Sequence, residues 1–294
     1  MKQLVVGASG LLGGFIYRSL IHEGLDQIIG SYYGLAQPDM IPLAMEDQAA
    51  VDAVFAAVKP QIVYLVAAQP NVDWCEREPA AAYRINVGGT ENVLRACARN
   101  KARVVFFSSD YVFRGDAPPY YEDDVPDPIN VYGQHKVLCE QLVLSLCPGG
   151  LVVRTTGIYG SEARRKNFVY RVLDTIGRGE IVAVPHDQLG SPSYAPDIAQ
   201  VVQQLLSMGA SGIYHVVGPE MMDRYSFAML IARVFGLPSQ QIVALDTATL
   251  AQTAPRPLAP VLDGTKVRAA CAFEFHTPAA GLKAMARLTG QLGA

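Results

Sequence analysis

QLVVGASGLLGGFIYRSLIHEG, residues 3 to 24, decides the fold. QLVVG is short and β-branched, and Gly7 stops it. Apolar residues then recur at helical spacing until Gly24, a natural C-terminal stop. Between strand and helix stand Gly7, Gly10 and Gly13, spaced GxxGxxG. Glycines there permit a tight turn and close backbone approach, so exposed N–H groups and the helix dipole can meet a pyrophosphate. An ordinary strand-to-helix turn would look similar, and the rest of the chain has to decide between them.

Working outward, short apolar runs alternate with helical patterns. QIIGSYY, QIVYLVAA, ARVVFFSSD and GGLVVRTTGIYG read as strands. DQAAVDAVFAAVKP reads as a helix with Asp47 as N-cap and Pro60 as terminator, and EPAAAYRINVGGTENVLRACARN as one long helix. The strands are continuous apolar runs, which marks a parallel sheet covered on both faces. The expected fold is α/β, a Rossmann-type doubly wound parallel sheet with a smaller α/β substrate-binding lobe. Residues 1–160 are expected to form the nucleotide-binding domain and 161–294 mainly the lobe, with an interleaved boundary.

The chain has 294 residues, 50% of them hydrophobic and 17% charged, so it is neither disordered nor too small for a large core. A net charge of −3 and a pI near 6.0 argue against a nucleic-acid surface. The densest basic cluster is RRK at 164–166, either a solvated helix start or an anion-binding point. Five cysteines, without a CxxC pair, suggest buried thiols in a reducing compartment, with no disulfide framework and no metal site. The opening residues lack a signal-peptide pattern and no apolar run is long enough for a membrane span, so a cytoplasmic location is expected.

INVYGQHKVL, residues 129 to 138, places Tyr132 four residues before Lys136 at the start of a helical run, on one face. By itself that spacing would suit any amphipathic helix. VVFFSS, however, ends in Ser109, a hydroxyl at the C-terminal end of a parallel strand, where α/β proteins bind ligands. In this reading Tyr132 protonates a carbonyl oxygen, Lys136 lowers the phenol's pKa and holds a nicotinamide ribose, and Ser109 hydrogen-bonds the same oxygen. The second strand ends in Gly30-Ser31-Tyr32-Tyr33, without the acid that grips an adenosine ribose. That leans toward NADP(H) over NAD(H), which is not excluded.

With GASGLLGG, AAYRINVGGTENV, SSDYVFRG, YEDDVPDPINVYGQHK, VVRTTGIYG, DQLGSPSYAPDIA, GIYHVVGP and RPLAPVLD, the chain resembles the extended short-chain dehydrogenase/reductases, and more narrowly the dTDP-4-dehydrorhamnose reductase family. The resemblance implies cofactor contacts at Gly7, Ser9, Gly10, Leu11, Leu12, Gly13, Ser31, Ala67, Ala68, Tyr132 and Lys136. It implies a catalytic hydroxyl at Ser109 and substrate contacts at Tyr111, Gly157 and Arg256. The implied partner is a nucleotide-sugar substrate, with a homodimer admitted. Two departures stand out: Ala44 replaces an aspartate that commonly meets adenine, and Gly157 replaces a tryptophan that lies against the sugar.

The expected function is NADP(H)-dependent reduction of a nucleotide-linked 4-keto-6-deoxy sugar. A sugar dehydratase is disfavoured, since Tyr111 stands where those relatives carry an acid. Two alternatives remain. One is a nucleotide-sugar 4-epimerase, which uses the same Tyr/Lys pair. The other is a cofactor-binding regulatory subunit, because the methionine adenosyltransferase β subunit has a similar pattern. His135 is expected to be exposed, and Glu122, Asp123, Asp124 and Asp127 to form a solvated loop. Trp74 is expected either to cover the site or simply to pack.

Overall fold

The computed structural model describes residues 1–24, 27–34 and 36–290. The opening stretch folds as read. β1 (Gln3–Val6) is fully buried, and Gly7 turns the chain with a φ of 90° into α1 (Leu11–His22). β2 (Ile28–Tyr32), β3 (Met40–Pro42), α2 (Gln48–Val58) and β4 (Ile62–Leu65) follow. Asp47 caps α2 through the N–H groups of Ala49 and Ala50, while Lys59, left-handed at φ 51°, closes it one residue before Pro60.

After α3 (Val72–Arg77), the stretch read as one long helix is built in pieces: α4 (Pro79–Tyr83), a π-helical turn over Arg84–Gly88, and α5 (Gly89–Asn100). β5 (Arg103–Ser109), α6 (Val131–Leu146) and β6 (Leu151–Thr155) complete the first half. The two-residue β7 (Ile158–Tyr159) is separated from β6 by Thr156 and Gly157.

The remaining elements are α7 (Phe168–Gly177), β8 (Val182–Pro185), β9 (Leu189–Gly190), β10 (Ser193–Tyr194), α8 (Ala195–Ser207), β11 (Gly212–His215), β12 (Met222–Asp223), α9 (Arg224–Phe235), β13 (Ile242–Leu245), α10 (Thr265–Ala270) and α11 (Pro278–Leu288). The main sheet has seven strands in the order β11-β6-β5-β4-β1-β2-β3, every pair parallel. The chain leaves β1 toward β2 and β3, then returns to β4 and builds the other way. The direction of winding therefore reverses between β1 and β4, the place where such sheets open a crevice at their C-terminal edge.

One face of the sheet packs on α1, α8 and the segment 267–275, the other on α2, α5 and α6. β11 is thus a strand of the main sheet and α8 packs on it, although both lie beyond residue 160. The lobe has its own core, where α7, α9 and α11 pack around Tyr159, Tyr170, Tyr194 and Phe227. Three two-stranded pairs, β7–β10, β9–β12 and β8–β13, frame it. All five cysteines are buried and free.

Candidate active site

The glycine turn is shaped by close approach. A Cβ on Gly13 would lie 2.2 Å from the Gly7 carbonyl oxygen, and one on Gly7 would lie 2.8 Å from the Ala67 nitrogen after β4. Gly7, Gly10 and Gly13 therefore let the mouth of α1 meet the β4 loop without side chains between them. The Gly10 N–H donates to the Gly7 carbonyl at 3.0 Å. Ser31, at the end of β2, is buried, and its hydroxyl accepts the Gly7 N–H at 3.2 Å. It braces the turn from beneath.

Ala67 and Ala68 are positioned by a residue that sequence reasoning missed. Asn86, buried in the π-helical turn, accepts the Gln69 N–H at 2.7 Å and donates back to the Gln69 carbonyl at 3.2 Å. The RINVGG motif carried this signal without revealing the partner, which is seventeen residues earlier.

Tyr132, Lys136 and Ser109 come together. Asn130 caps α6 by accepting the Gly133 N–H at 2.8 Å, and the Glu76 carboxylate accepts the Val131 N–H at 3.0 Å. Gly133 is needed because its Cβ would stand 2.1 Å from the Tyr111 carbonyl oxygen. α6 thereby starts directly against the end of β5, with Tyr132 facing it. The Lys136 ammonium, buried, donates to the Phe107 carbonyl at 2.7 Å and lies 5.7 Å from the Tyr132 ring centroid. The Tyr111 and Tyr132 rings meet edge to face at 6.1 Å.

The expectation that Lys136 lowers the phenol's pKa is corrected. Desolvation pushes Tyr132 well up, the Asp110 charge adds to it, and the hydrogen bond with Ser109 is the opposing influence. Desolvation also lowers the Lys136 pKa. The lysine's charge is held on the Phe107 carbonyl instead.

Asp110 is the carboxylate at the centre. Its oxygens accept the Ser109 hydroxyl at 2.8 Å and the Thr156 hydroxyl at 2.5 Å. Burial raises its pKa to about 6, against the opposing hydrogen bonds of Thr156 and Ser109 and the charge of Arg224. Ser109 also accepts the Tyr111 N–H at 3.2 Å.

A pocket opens from Asp110 and Tyr111 into the lobe, past Thr156, Gly157, Phe168 and Arg224. Gly157 lines it, with a φ of 55°. Its lack of a side chain thus has a backbone reason besides the space it leaves. Arg256 is engaged elsewhere. Its guanidinium pairs with Asp73 at 2.9 Å and donates to the Ala254 carbonyl at 2.9 Å. Trp74 sits on α3 with its N–H on Asn71 and is not among the pocket-lining residues.

Two surface assignments are overturned. His135 is buried, edge-on to Tyr83 at 5.7 Å, because α4 covers the flank of α6 that helical phase alone leaves open. Glu122 is also buried, with its carboxylate accepting the His215 N–H at 2.9 Å from a strand 93 residues away. RRK at 164–166 is exposed just before α7, and Arg165 pairs with Asp174. Among the described residues no group of three or more His, Cys, Asp or Glu could hold a metal, and no helix is long and apolar enough to cross a membrane.

The parallel sheet, its glycine turn and the Tyr–Lys helix beside the crevice define a protein of the extended short-chain dehydrogenase/reductase class. The chain belongs to the family described as the RmlD substrate binding domain, which matches residues 1–289. It is 34% identical over 273 residues to the methionine adenosyltransferase 2 subunit beta of Xenopus laevis, covering 90% of this chain and 81% of that one. It is 31% identical to the dTDP-4-dehydrorhamnose reductase of Aggregatibacter actinomycetemcomitans, covering 92% of each. Among solved structures, the dTDP-4-dehydrorhamnose reductase of Bacillus anthracis in complex with NADP superposes with a TM-score of 0.87 at 29% identity, covering 97% of this chain and 99% of that one.

Proposed function

We propose that this chain reduces the 4-keto group of a nucleotide-linked 6-deoxy sugar, with NADP(H) preferred, in the manner of a dTDP-4-dehydrorhamnose reductase. The observation that carries the reading is the convergence of Tyr132, Ser109 and Lys136 at the C-terminal edge of the sheet, where the pocket opens from Asp110 and Tyr111. The glycine turn fits a dinucleotide, since Cβ atoms at Gly7 and Gly13 would fill the cradle. The Thr155 hydroxyl at the end of β6 is buried without a partner, which suits the polar end of such a cofactor. Gly7, Ser9, Gly10, Leu11, Leu12, Gly13, Ser31, Ala67 and Ala68 would hold it, with Ser31 acting through the Gly7 backbone.

The bound cofactor supplies the hydride. Tyr132 supplies the proton to the keto oxygen; its raised pKa keeps the phenol protonated until that oxygen gains charge. Ser109 offers a second hydroxyl to the same oxygen when its proton turns away from Asp110. Lys136, anchored on the Phe107 carbonyl at the strand end, would hold the cofactor's ribose. The test is turnover of dTDP-4-dehydrorhamnose with NADPH and with NADH. Turnover with NADPH at the higher kcat/KM is expected, and inactivity on every nucleotide 4-keto sugar tried overturns the reading.

A second reading is favoured by the identity to the adenosyltransferase β subunits, 34% for the Xenopus laevis chain. It makes this chain a cofactor-binding regulatory subunit. Copurification with a methionine adenosyltransferase, together with no keto-sugar turnover, would establish it.

A further inference from the structure

Ser109 has one proton and two acceptors that compete for it. In the structure its hydroxyl donates to Asp110 at 2.8 Å, while its oxygen accepts the Tyr111 N–H at 3.2 Å. The proposed chemistry needs that proton on the keto oxygen. A hydroxyl has a single donor and cannot serve both acceptors at once. An ionised Asp110 is the stronger acceptor, because charge-assisted hydrogen bonds are roughly twice as strong as neutral ones.

The charge of the carboxylate is a second obstacle. Asp110 lines the pocket beside Tyr111, one hydrogen bond away from Ser109, and is only 5% exposed. Hydride transfer builds negative charge on the keto oxygen that Ser109 is to meet. A buried anion so close to that oxygen disfavours the charge. Among the described residues, the titratable groups that act on the site around Asp110 are Tyr132 from α6, Tyr111 beside it and Arg224 from α9. Burial raises the pKa of both tyrosines and keeps them neutral, and the Tyr111 hydroxyl bonds to the Arg224 guanidinium. The Lys136 ammonium is held on the Phe107 carbonyl.

We propose that Asp110 is a positioning residue that carries a proton when the keto sugar reacts, so that Ser109 is released to donate to the keto oxygen. The protonated carboxyl then donates to the Ser109 oxygen, whose two lone pairs take that proton and the Tyr111 N–H. Thr156 keeps its hydrogen bond to the second carboxyl oxygen. Tyr132 still supplies the proton that the product keeps. The Asp110 proton comes from solvent through the pocket and is not consumed. Burial raises the Asp110 pKa to about 6, which brings the protonated state within reach near neutral pH. A sugar filling the pocket desolvates the carboxyl further. This inference rests on the keto-sugar reading above and adds to it the group that turns Ser109.

The experiment is the pH profile of kcat/KM for a nucleotide 4-keto sugar at saturating NADPH, in wild type, Asp110→Asn and Thr156→Val. Wild type should lose about tenfold per pH unit above about 6, since kcat/KM reports the groups of the free enzyme. The asparagine amide can donate to Ser109 as the protonated acid does. Asp110→Asn should therefore lose this limb and exceed wild type by about tenfold or more at pH 8. Thr156→Val removes a hydrogen bond that favours the charged form, and should move the limb up by about one pH unit. NADP+ affinity, measured separately, reports that each variant is folded. If turnover is seen and the wild-type profile is flat between pH 6 and 8, or Asp110→Asn is slower than wild type at pH 8, the proposal is overturned and the reductase reading stands. Should Asp110→Asn fail to fold, a limb that does not move in Thr156→Val overturns it equally. If wild type turns over no nucleotide 4-keto sugar, the reductase reading fails and the role of Asp110 falls with it.

Discussion

Ser108 and Ser109 follow one another at the end of β5, yet they enter two polar clusters of opposite character. Successive side chains of a strand point to opposite faces, so one residue decides which cluster a hydroxyl joins. Ser108 donates to Glu140 at 2.5 Å, and Glu140 holds Arg154 through both carboxylate oxygens, at 3.0 and 2.8 Å. Arg154 continues to the Glu122 carbonyl and to Nε2 of His215, whose Nδ1 meets the Asp263 carbonyl at 3.1 Å. Ser109, by contrast, joins Asp110, Thr156 and Tyr132 beside the pocket. The first cluster satisfies its side chains with the protein's own groups and ties β5, β6, α6 and β11 together. The second gathers its hydroxyls on Asp110, which together with Thr156 lines the pocket. Buried polarity enclosed on all sides serves the fold, whereas buried polarity at a pocket wall is where a ligand would be met.

The sharpest way to break this contrast is a pair of substitutions, one in each cluster. Arg154→Met removes one member of a buried ion pair and leaves Glu140 with Ser108 alone. A cost of about 3–5 kcal/mol is expected, read from urea unfolding. Tyr132→Phe should leave the unfolding midpoint nearly unmoved and cut keto-sugar turnover by about 10²-fold or more, with NADP+ binding retained. If Arg154→Met is as stable as wild type, the first cluster does not hold the sheet. Full turnover in Tyr132→Phe would remove the proposed acid.

The two clusters should also respond to pH with opposite sign. His215 is held neutral, its pKa lowered to about 3 by burial and then by the Arg154 charge. The folded chain therefore binds fewer protons than the unfolded one between pH 3 and the ordinary histidine value near 6.5, and stability falls as pH drops through that window. One proton corresponds to a slope of about 1.4 kcal/mol per pH unit. Asp110 is raised to about 6, so its contribution is present at acid pH and lost as pH rises from the ordinary carboxylate range toward 6. His215→Gln should flatten the acid side of the stability curve, and Asp110→Asn should steepen it. Denaturant titrations at pH 4, 5 and 6 measure both, and unchanged slopes in both variants would discard the assignment.

What was legible in the sequence is what short range determines. Gly7, Gly10 and Gly13 announce a turn because their neighbours alternate from strand to helix within a dozen residues. Tyr132 and Lys136 announce a site because one helical turn fixes their separation. What was missed depends on partners far along the chain. Glu122 looked solvated beside three aspartates, and its partner is the backbone of β11. His135 was out of phase with the Tyr132–Lys136 face, and a separate helix covers it. Asp110 was visible in SSDYVF, but its surroundings needed Thr156, just past β6, to close on it, forty-six residues later.

Gly157 gives the smallest expected effect. It separates Thr156, in the open cluster, from β7, and two accounts compete for it. One is pocket space: a tryptophan there would cover the sugar, and its absence would enlarge the pocket. The other is backbone: a φ of 55° strains any residue with a Cβ, and a Cβ here would come within 3.3 Å of the Pro192 Cα. Gly157→Trp changes both at once and cannot separate them. Gly157→Ala adds strain and very little volume. If the backbone dominates, the alanine variant should lose about 1 kcal/mol of stability, the usual left-handed penalty, with KM for the keto sugar within twofold of wild type. If pocket space dominates, stability should hold while KM shifts. Unfolding and steady-state kinetics on this one variant therefore show whether Gly157 is fixed by the fold or by the space it leaves in the pocket.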